Sequence, residues 1–270
     1  MNAFRQLLKS SGAHPPIGTW IGSASPLVAE AIGCCGFDWA LVDMEHAPLD
    51  VSGLVHVLQA LAGTKTLPVV RVPWNDAVTV KRVLDAGATT VMVPFVQNAD
   101  EAQRAVAATR YPPEGIRGMA GVSRATRFGT TPHYFRSANQ NIGVIVQIET
   151  PQAVEQVDAI AAVPGVDALF VGPADLSAAL GHIGELNHPA VVGMMSTAVQ
   201  RCKALGMPVG TLGAHAEAVA QYRAIGFDFV AVSSDIGFMM RAAQAAIASL
   251  RTRDTEHVHS LSSGTQPSTA

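Results

Sequence analysis

The sequence predicts an α/β fold, and within that class a closed (β/α)8 TIM barrel. Eight short apolar segments of strand length alternate with helical segments over about 240 residues, which is the order that such a barrel requires. All but one of these strands end in polar or glycine-rich residues, as expected when every strand contributes to a common rim. An open doubly wound sheet would instead gather its binding residues at one switch point. A length of 270 residues is compatible with a single domain of this type.

Composition excludes several classes of protein. With 49% hydrophobic and 14% charged residues the chain can bury a large core, and its net charge of −3 gives no electrostatic basis for binding nucleic acid or an anionic membrane. No apolar run reaches the length of a transmembrane helix, and the N-terminus lacks the apolar region of a signal peptide. The three cysteines have no metal-ligand spacing, and we expect all of them to be reduced and buried. These observations predict a cytoplasmic protein.

Four predicted strands, each followed by a helix, make up the first half of the chain. Segment 1–12 is amphipathic and is expected to form a short helix that closes the bottom of the barrel. Short apolar runs predict strands, and apolar residues at helical spacing predict helices. The strands are expected at 17–20, 37–43, 67–72 and 90–94, and the helices at 26–33, 50–61, 76–86 and 99–109.

The second half repeats the pattern after a long insertion. Thr150 is a candidate N-cap, and Pro151 suits the first turn of the helix that follows it. Residues 1–250 are expected to form one barrel domain, whereas the Ser/Thr-rich segment 251–270 is expected to be disordered. The strands are predicted at 144–149, 169–171, 207–211 and 229–232, and the helices at 150–163, 188–205, 217–225 and 237–250.

Two carboxylates follow neighbouring strands in this second half. Glu149 comes at the end of the strand at 144–149, and Asp175 follows the next strand after a Gly-Pro turn. In parallel α/β folds the carboxyl ends of strands form the ligand site, and Mg²⁺ prefers oxygen ligands. One interpretation is a divalent metal site at Glu149 and Asp175 with Gln147 beside it. The other is that each carboxylate caps the helix that follows it.

A second group of polar residues lies at the ends of strands two and three. Asp43 and His46 are three residues apart, and an imidazole oriented by a carboxylate is a typical general base. Arg71 follows on the next strand, where a guanidinium would stabilise a carboxylate or a developing enolate. The alternatives are a helix-capping Asp43 with a surface His46, and a structural ion pair of Arg71 with Asp43 or Glu45.

The turn formed by Gly172, Pro173, Ala174 and Asp175 is expected to open a helix at Asp175 or Leu176, where amide groups would face a ligand carboxylate. A simple tight turn is the alternative. None of the four lysines falls at a predicted strand end, so a Schiff-base mechanism lacks its nucleophile. The sequence contains no GxGxxG motif, P-loop or glycine-rich phosphate cradle.

Segment 110–128 does not fit the βα repeat. It carries four arginines, and a loop of this length in a compact domain is usually functional or disordered. Four arginines without a local acidic cluster suggest contacts to an anion, whereas solvated surface charge is the default interpretation. His182 and His188 flank a glycine-containing loop without metal-ligand spacing, and we interpret them as structural.

Five ordered motifs in the chain are characteristic of one family. They are Gly36-Phe37-Asp38-Trp39, Asp43-Met44-Glu45-His46-Ala47-Pro48, Arg110-Tyr111-Pro112-Pro113-Glu114-Gly115-Ile116-Arg117-Gly118, Val146-Gln147-Ile148-Glu149 and Val171-Gly172-Pro173-Ala174-Asp175-Leu176-Ser177. Together they resemble the HpcH/HpaI aldolases, which are metal-dependent, pyruvate-specific class II aldolases. The resemblance spans about residues 17–247. It implies a (β/α)8 barrel of the phosphoenolpyruvate/pyruvate superfamily, assembled as a homo-oligomer (trimer or hexamer) that exchanges its last helix and shares active sites between subunits.

The resemblance also implies roles for the residues at the strand ends. Glu149 and Asp175 correspond to the ligands of a divalent metal ion, which is Mg²⁺, Mn²⁺ or Co²⁺. His46, paired with Asp43, corresponds to the catalytic base, and Arg71 to the residue over the pyruvate carbonyl oxygen.

Further positions follow from the same comparison of motifs. Asp85 corresponds to a catalytic residue that reaches a neighbouring subunit's site. Met44 stands where the family usually has glycine, next to the predicted base. The substrate-binding residues expected are Trp20, Arg71, Gln147, Gly172, Pro173, Ala174 and Asp175.

The implied reaction is a reversible retro-aldol cleavage. A 4-hydroxy-2-oxo acid of the 2-dehydro-3-deoxyglucarate or 4-hydroxy-2-oxoheptanedioate type would give pyruvate and an aldehyde through a pyruvate enolate that the metal and Arg71 stabilise. The alternatives are a carbon–carbon lyase of CoA esters from the same superfamily and a barrel that binds an oxo acid without turnover. The expected partners are small-molecule 2-oxo acids and aldehydes, with no nucleic acid and no membrane.

Overall fold

Eight parallel strands close into a barrel in the computed structural model, which describes residues 2–10, 12 and 14–263, with side chains up to Arg251. Each strand pairs with the strands before and after it in the chain, and the last strand pairs with the first to close the ring. The predicted (β/α)8 barrel is confirmed. Its strands are β1 Ile17–Ile21, β2 Trp39–Asp43, β3 Leu67–Arg71, β4 Thr90–Val93, β5 Gly143–Ile148, β6 Ala168–Val171, β7 Val209–Gly213 and β8 Phe229–Ser234.

Helices cover the outside of the barrel, and side chains that accept hydrogen bonds from the first turn fix several of their starts, among them Asp50, Asp76 and Asn98. None of the described helices combines the length and the apolar character that a membrane span needs. In the described part of the chain they are α1 Ala3–Ser10, α2 Pro26–Gly33, α3 Val51–Leu61, α4 Ala77–Asp85, α5 Ala99–Thr109, α6 Tyr134–Asn141, α7 Pro151–Glu155, α8 Val157–Ala161, α9 Pro173–Ala179, α10 Pro189–Ala204, α11 Ala216–Ile225 and α12 Asp235–Ser263.

Alternating side chains of the strands form two layers of core. Trp39 of β2 belongs to the cluster inside the barrel, whereas Ala40 next to it packs in the layer between strands and helices. A Cβ at Gly18 would lie 2.2 Å from the Trp39 ring, so glycine at this position makes room for the indole. As expected of segment 1–12, α1 closes the bottom, where the Phe4 ring meets the rings of Trp39 and Phe229 edge-on at 6.0 and 5.4 Å.

Two regions differ from the prediction. α6 lies in the long insertion and was not expected, because its sequence has few apolar residues and its N-cap, His133, makes no side-chain capping bond. The helix expected at 150–163 is interrupted at Gln156, which separates α7 from α8. Thr150 caps α7 as predicted, accepting a hydrogen bond from the Ala153 amide at 3.1 Å.

The last helix is longer than expected. α12 begins at Asp235 and continues to Ser263, beyond the predicted end at 250. The side chains of 252–263 and all of 264–270 lie outside the described residues. The domain boundary at residue 250 and the disorder of the tail therefore stay predictions.

The cysteines also differ from expectation. All three are free, but Cys34 and Cys35 follow the end of α2 and are exposed, whereas Cys202 in α10 is buried. The expectation of burial is wrong for the first two, because they come after the last turn of α2 that packs on the barrel. Burial raises the pKa of the Cys202 thiol to about 12.

Candidate active site

A cavity of about 500 Å³ opens at the carboxyl ends of the strands. Its volume is typical of a small-molecule site, and its position is where barrel enzymes carry their active sites. Asp43 and Glu149 adjoin it through hydrogen bonds to two lining residues, Arg71 and Gln147, while Asp85 does not line it. The predicted residues in its lining are Trp20, His46, Arg71, Gln147, Gly172, Pro173, Ala174 and Asp175; the others are Phe170, Leu186, Leu212, Gly213, Ala214, Ser233, Ser234 and Arg241.

Glu149 follows β5 and is buried beside the cavity. One carboxylate oxygen accepts a hydrogen bond from Gln147 Nε2 at 2.7 Å, and the other accepts from the Phe95 backbone amide at 2.9 Å. The N-cap of the following helix is Thr150, so Glu149 does not serve as a cap. Two hydrogen-bond donors therefore hold its carboxylate beside the cavity, and helix capping does not explain its position.

Asp175 lies in the first turn of α9, on the rim of the same cavity. The helix begins at Pro173, two residues before the earlier of the two predicted starts, and Gly172 is its N-cap without a side-chain bond. The earlier start places Asp175 inside the helix rather than before it. The capping interpretation is thus wrong for both carboxylates.

The negative charges at this end of the barrel are close together. Burial is the main cause that raises the pKa of Glu149 to about 8, and the charge of Asp175 is the second. Burial also raises the pKa of Glu45, although Arg71 opposes the shift. This region therefore contains four carboxylates and one buried guanidinium, that of Arg71. The carboxylates are those of Asp43, Glu45, Glu149 and Asp175. Such an excess of negative charge is relieved by protonation or by a bound cation.

The residues around Glu149 fit a divalent metal ion. Gln147 Oε1 is buried and has no hydrogen-bond partner among the described residues, although its Nε2 is engaged with Glu149. A Cβ at Gly172 would lie 2.6 Å from Glu149 Oε1, so only glycine lets this carboxylate approach the turn before α9 so closely. Asp175 lines the cavity together with Gln147 and Gly172. Carboxylate and amide oxygens form the donor set of hard cations such as Mg²⁺ and Mn²⁺.

Arg71 ends β3 directly opposite Asp43 of β2 in the strand register. Its Nε and Nη2 donate to the two Asp43 oxygens at 2.9 and 2.7 Å, and Nη1 lies 2.9 Å from Glu45 Oε2. The guanidinium lies 5.6 Å from the centroid of the Trp20 ring. Burial lowers the pKa of Arg71, but the hydrogen bond and charge of Asp43 outweigh it and raise the pKa overall. The ion pairs of Arg71 with Asp43 and Glu45 are thus formed and fix Arg71 at the cavity wall, while its catalytic role stays a prediction.

The His46 imidazole is not joined to the Asp43 carboxylate. Asp43 Oδ1 instead accepts the backbone amides of Glu45 and His46 at 3.0 and 3.4 Å. The His46 side chain is 67% exposed, and its Nε2 lies 3.9 Å from Glu45 Oε2. The predicted Asp43–His46 side-chain pair is not formed, because the register of β2 and β3 places Arg71 against Asp43. Met44 is buried in the outer layer of the core and does not line the cavity.

Asp85 lies at the end of α4, where Arg117 Nη2 donates to its Oδ1 at 2.8 Å. Arg117 and Arg110 are both buried, and Arg124 donates to a backbone carbonyl at the end of α4. The interpretation as solvated surface charge is wrong for Arg110 and Arg117, because both are buried, whereas the anion contacts of this loop stay a prediction. The role of Asp85 at a neighbouring subunit's site stays a prediction.

His182, Glu185 and His188 form a second group of possible ligands, with donor atoms within 4.8 Å of one another. Sequence spacing did not indicate it, because the grouping depends on the path of the loop between α9 and α10. The two imidazoles stack with 3.4 Å between centroids and 18° between planes. The lone pair of an imidazole nitrogen lies in the plane of its ring, and one ion cannot lie in two stacked ring planes at once. This arrangement is therefore less suited to a metal than the carboxylate pair.

Two residues at or next to the cavity, Phe95 and Arg241, have no role in the sequence prediction, and Glu45 appears there only as a possible ion-pair partner of Arg71. Glu45 contacts Arg71, Phe95 donates its amide to Glu149 from a backbone with a φ of 55°, and Arg241 reaches the cavity from α12. Glu45 lies in the motif at 43–48, so the sequence could have identified it as a residue of the site. Phe95 acts through its backbone, and Arg241 lies in a helix without a motif, so neither could be identified from residue type.

Comparisons with known proteins agree over nearly the whole barrel. A family model described as HpcH/HpaI aldolase/citrate lyase matches residues 16–242. The 2-dehydro-3,6-dideoxy-6-sulfogluconate aldolase of Pseudomonas putida is 51% identical over 247 residues, which cover 92% of this chain and 96% of that protein. The 5-keto-4-deoxy-D-glucarate aldolase of Enterobacter sp. (strain 638) is 49% identical over 228 residues, or 84% of this chain and 89% of that protein.

A solved structure gives the same result in three dimensions. The crystal structure of a HpcH/HpaI aldolase/citrate lyase family protein from Burkholderia cenocepacia J2315 aligns with a TM-score of 0.89 at 42% identity, covering 93% of this chain and all of that one (100%). The region matched by the family model contains all eight strands and every residue of the cavity lining.

Proposed function

Because this chain belongs to the HpcH/HpaI aldolase/citrate lyase family and is a carbon–carbon lyase of the aldolase type, we propose that it cleaves 4-hydroxy-2-oxo acids to pyruvate and an aldehyde with a divalent metal ion. The observation that carries the proposal is the placement of Glu149 beside Asp175 at the cavity, with an unpartnered Gln147 oxygen next to them. Carboxylates gathered without enough positive charge fit a cation better than an uncharged ligand.

Glu149 and Asp175 would hold the metal ion, as the family resemblance implies. Bound there, a divalent ion supplies Lewis-acid stabilisation of negative charge that develops on substrate oxygens. The cavity lined by Gly172, Ala174 and Asp175 leaves room for the carboxylate of the oxo acid, next to the backbone amides at the start of α9, where helix amides lack intrahelical acceptors.

Arg71 and His46 are the residues we propose for the chemical step. The His46 imidazole, exposed at the rim, accepts the proton of the C4 hydroxyl as the C3–C4 bond breaks and the aldehyde leaves. The guanidinium of Arg71, already oriented by Asp43 and stacked near Trp20, stabilises the oxygen of the pyruvate enolate. In the synthetic direction the same groups act in reverse.

Sugar acids are the substrate class that the relatives favour. The names of the two relatives denote six-carbon acids whose far end carries a second carboxylate, in the glucarate, or a sulfonate, in the sulfogluconate. We therefore propose a sugar-acid catabolic aldolase over one that acts on heptanedioates. Its oligomer and the contribution of Asp85 to a neighbouring site are part of the same proposal.

The test is pyruvate release from 4-hydroxy-2-oxo acids, coupled to lactate dehydrogenase. We expect EDTA to abolish release and Mg²⁺, Mn²⁺ or Co²⁺ to restore it, because the enolate needs the Lewis acid. Glu149→Ala and Asp175→Ala should lower kcat/KM by at least about 10³-fold. Glu155→Ala, which removes an exposed carboxylate of α7 that does not line the cavity, is the matched control and should retain full activity.

The outcomes separate the alternatives. Release that is indifferent to EDTA would contradict the metal-dependent mechanism. No release from any acid, with cleavage of 3-hydroxyacyl-CoA esters instead, would favour the CoA-ester lyase. Calorimetric titration of the EDTA-treated protein with Mn²⁺ gives an independent readout, since both alanine variants should lose the binding seen in the wild type.

A further inference from the structure

The cavity has two chemically different sides. The side formed by the ends of β2, β3, β5 and β6 carries the carboxylates and Arg71. Among the residues whose side chains are described, the side formed by the ends of β7 and β8 and by α12 carries no carboxylate in its lining, and its one charged residue is Arg241. A substrate whose oxo-acid end lies at Glu149 and Asp175 would extend its other end toward this second side.

Arg241 differs from Arg71 in its ionic surroundings. Arg71 is neutralised by Asp43 and Glu45, whereas Arg241 makes no ion pair with any residue whose side chain the structure describes. Asp235, the acidic residue closest to it in the sequence, is buried and accepts hydrogen bonds from three backbone amides, those of Gly22, Ser23 and Ile236.

The guanidinium of Arg241 is held in position by neutral groups. Its Nη2 donates to Ser233 Oγ at 2.7 Å, its Nη1 donates to the Ala214 carbonyl at 3.3 Å, and its Cζ lies 5.2 Å from the centroid of the Phe238 ring. Ser233 adopts a φ of 54°, a conformation that costs energy in a residue with a side chain and clusters at ligand sites. Because Ser233 Oγ accepts from Arg241, its own hydroxyl proton remains available to a ligand.

We propose that Arg241, with Ser233 beside it, binds an anionic group on the substrate carbon farthest from the oxo acid, and that this group is a carboxylate or a sulfonate. The proposal rests on the aldolase function proposed above and adds the residue that determines substrate specificity. A guanidinium fork matches two oxygens of such a group, and the loops after strands seven and eight are a frequent anion site in barrels. Removing a positioned, charge-assisted contact of this kind lowers binding by about 10- to 100-fold.

The experiment compares three six-carbon 4-hydroxy-2-oxo acids that differ only at the last carbon, which is a carboxylate, a sulfonatomethyl group or a neutral hydroxymethyl group. Arg241→Gln should lower kcat/KM for the two anionic acids by about 10- to 100-fold, mainly through KM, and for the neutral acid by less than about 3-fold. Arg241→Lys keeps the charge and should recover part of the loss. Arg136→Gln removes an exposed arginine of α6 outside the cavity and should leave all three values unchanged.

The neutral acid is the internal check on folding, since a misfolded variant loses all three activities together. An equal loss for anionic and neutral acids, or no loss for any, would overturn the assignment of Arg241. An Arg241→Gln effect on the sulfonate alone, or on the carboxylate alone, supports the site and identifies which anion it selects. Failure of the proposed function itself appears differently, because the wild-type protein would then release no pyruvate from any of the three acids.

Discussion

Glu149 is a carboxyl group whose surroundings favour the proton. Its pKa is raised from 4.5 to about 8, chiefly because burial removes water from the charged form and secondly because Asp175 is nearby. A bound metal ion would reverse this preference, because its positive charge stabilises the ionised carboxylate. Metal binding near neutral pH should therefore release a proton from this site.

The same shift predicts how the stability of the metal-free protein depends on pH. The folded-state pKa of Glu149 lies above the unfolded value, so the stability that this group contributes is fully present below about pH 4.5 and is lost as the pH rises to about 8. In EDTA we expect the free energy of unfolding to fall by roughly 3 kcal/mol between pH 6 and pH 9, from this group alone. Urea denaturation at the two pH values measures it.

The control for this prediction is Glu149→Gln, which keeps the shape of the side chain and removes its titration. The variant should show a smaller difference between pH 6 and pH 9 than the wild type. An equal difference in both proteins would mean that other groups, and not Glu149, carry the pH dependence.

The turn between β6 and α9 lies directly against Glu149, one of the two proposed metal ligands. Gly172 has a φ of −88°, which any residue adopts, so its backbone does not require glycine. Glycine is required here for steric reasons, because an added Cβ would lie 2.6 Å from Glu149 Oε1 and 3.0 Å from Gln147 Nε2. The α9 turn and the end of β5 thus approach each other as closely as glycine permits.

Gly172→Ala should therefore damage the site more than the fold. The methyl group displaces the Glu149 carboxylate, and we expect the affinity for Mn²⁺ to weaken by about 10- to 100-fold, as when the support of a metal ligand is disturbed. Calorimetric titration of the EDTA-treated protein measures this, and circular dichroism should show an unchanged helix content.

Gly193→Ala is the matched control within a helix. Gly193 lies in α10, and an added Cβ there would meet nothing within 4 Å. Alanine should raise stability by up to about 1 kcal/mol through helix propensity and leave metal affinity unchanged. Equal effects of the two substitutions on Mn²⁺ affinity would refute the steric account of Gly172.

At the scale of the whole molecule, α12 presents an apolar stripe to solvent. Its members fall within about 100° of the helix circumference, the width of a face that packs against another element. Arg241 lies outside this stripe, on the side that meets the cavity. A single chain leaves the stripe uncovered, and a second copy of the chain is the partner that the family resemblance implies. The exposed residues are Ile236, Met239, Met240, Ile247 and Leu250.

We expect the protein to form a homo-oligomer in which this stripe is buried. Light scattering should give a mass that is a multiple of 28.1 kDa, and Ile247→Glu should shift it to smaller species, because a buried, unpaired carboxylate is strongly unfavourable. Ser249→Glu adds the same charge on the opposite face of α12 and should leave the mass unchanged. A wild-type mass of one chain would contradict the assembly.

The sequence by itself determined the strand count, the barrel class and the positions of the candidate ligands. These follow from local periodicity and from what stands at the end of each strand, and both are properties of neighbouring residues. Glu149 and Asp175 at the ends of consecutive parallel strands could only meet at one rim. The family resemblance supplied the chemistry expected of that rim.

Only the tertiary structure decided which side chains are partners. Asp43 pairs with Arg71 rather than with the His46 imidazole, because strand register sets them opposite each other and register is invisible in one strand's sequence. The Phe95 amide donates to Glu149, which is 54 residues away in the sequence. Arg241 reaches the cavity from the last helix. Contacts between distant segments depend on how the whole barrel closes, so no local pattern encodes them.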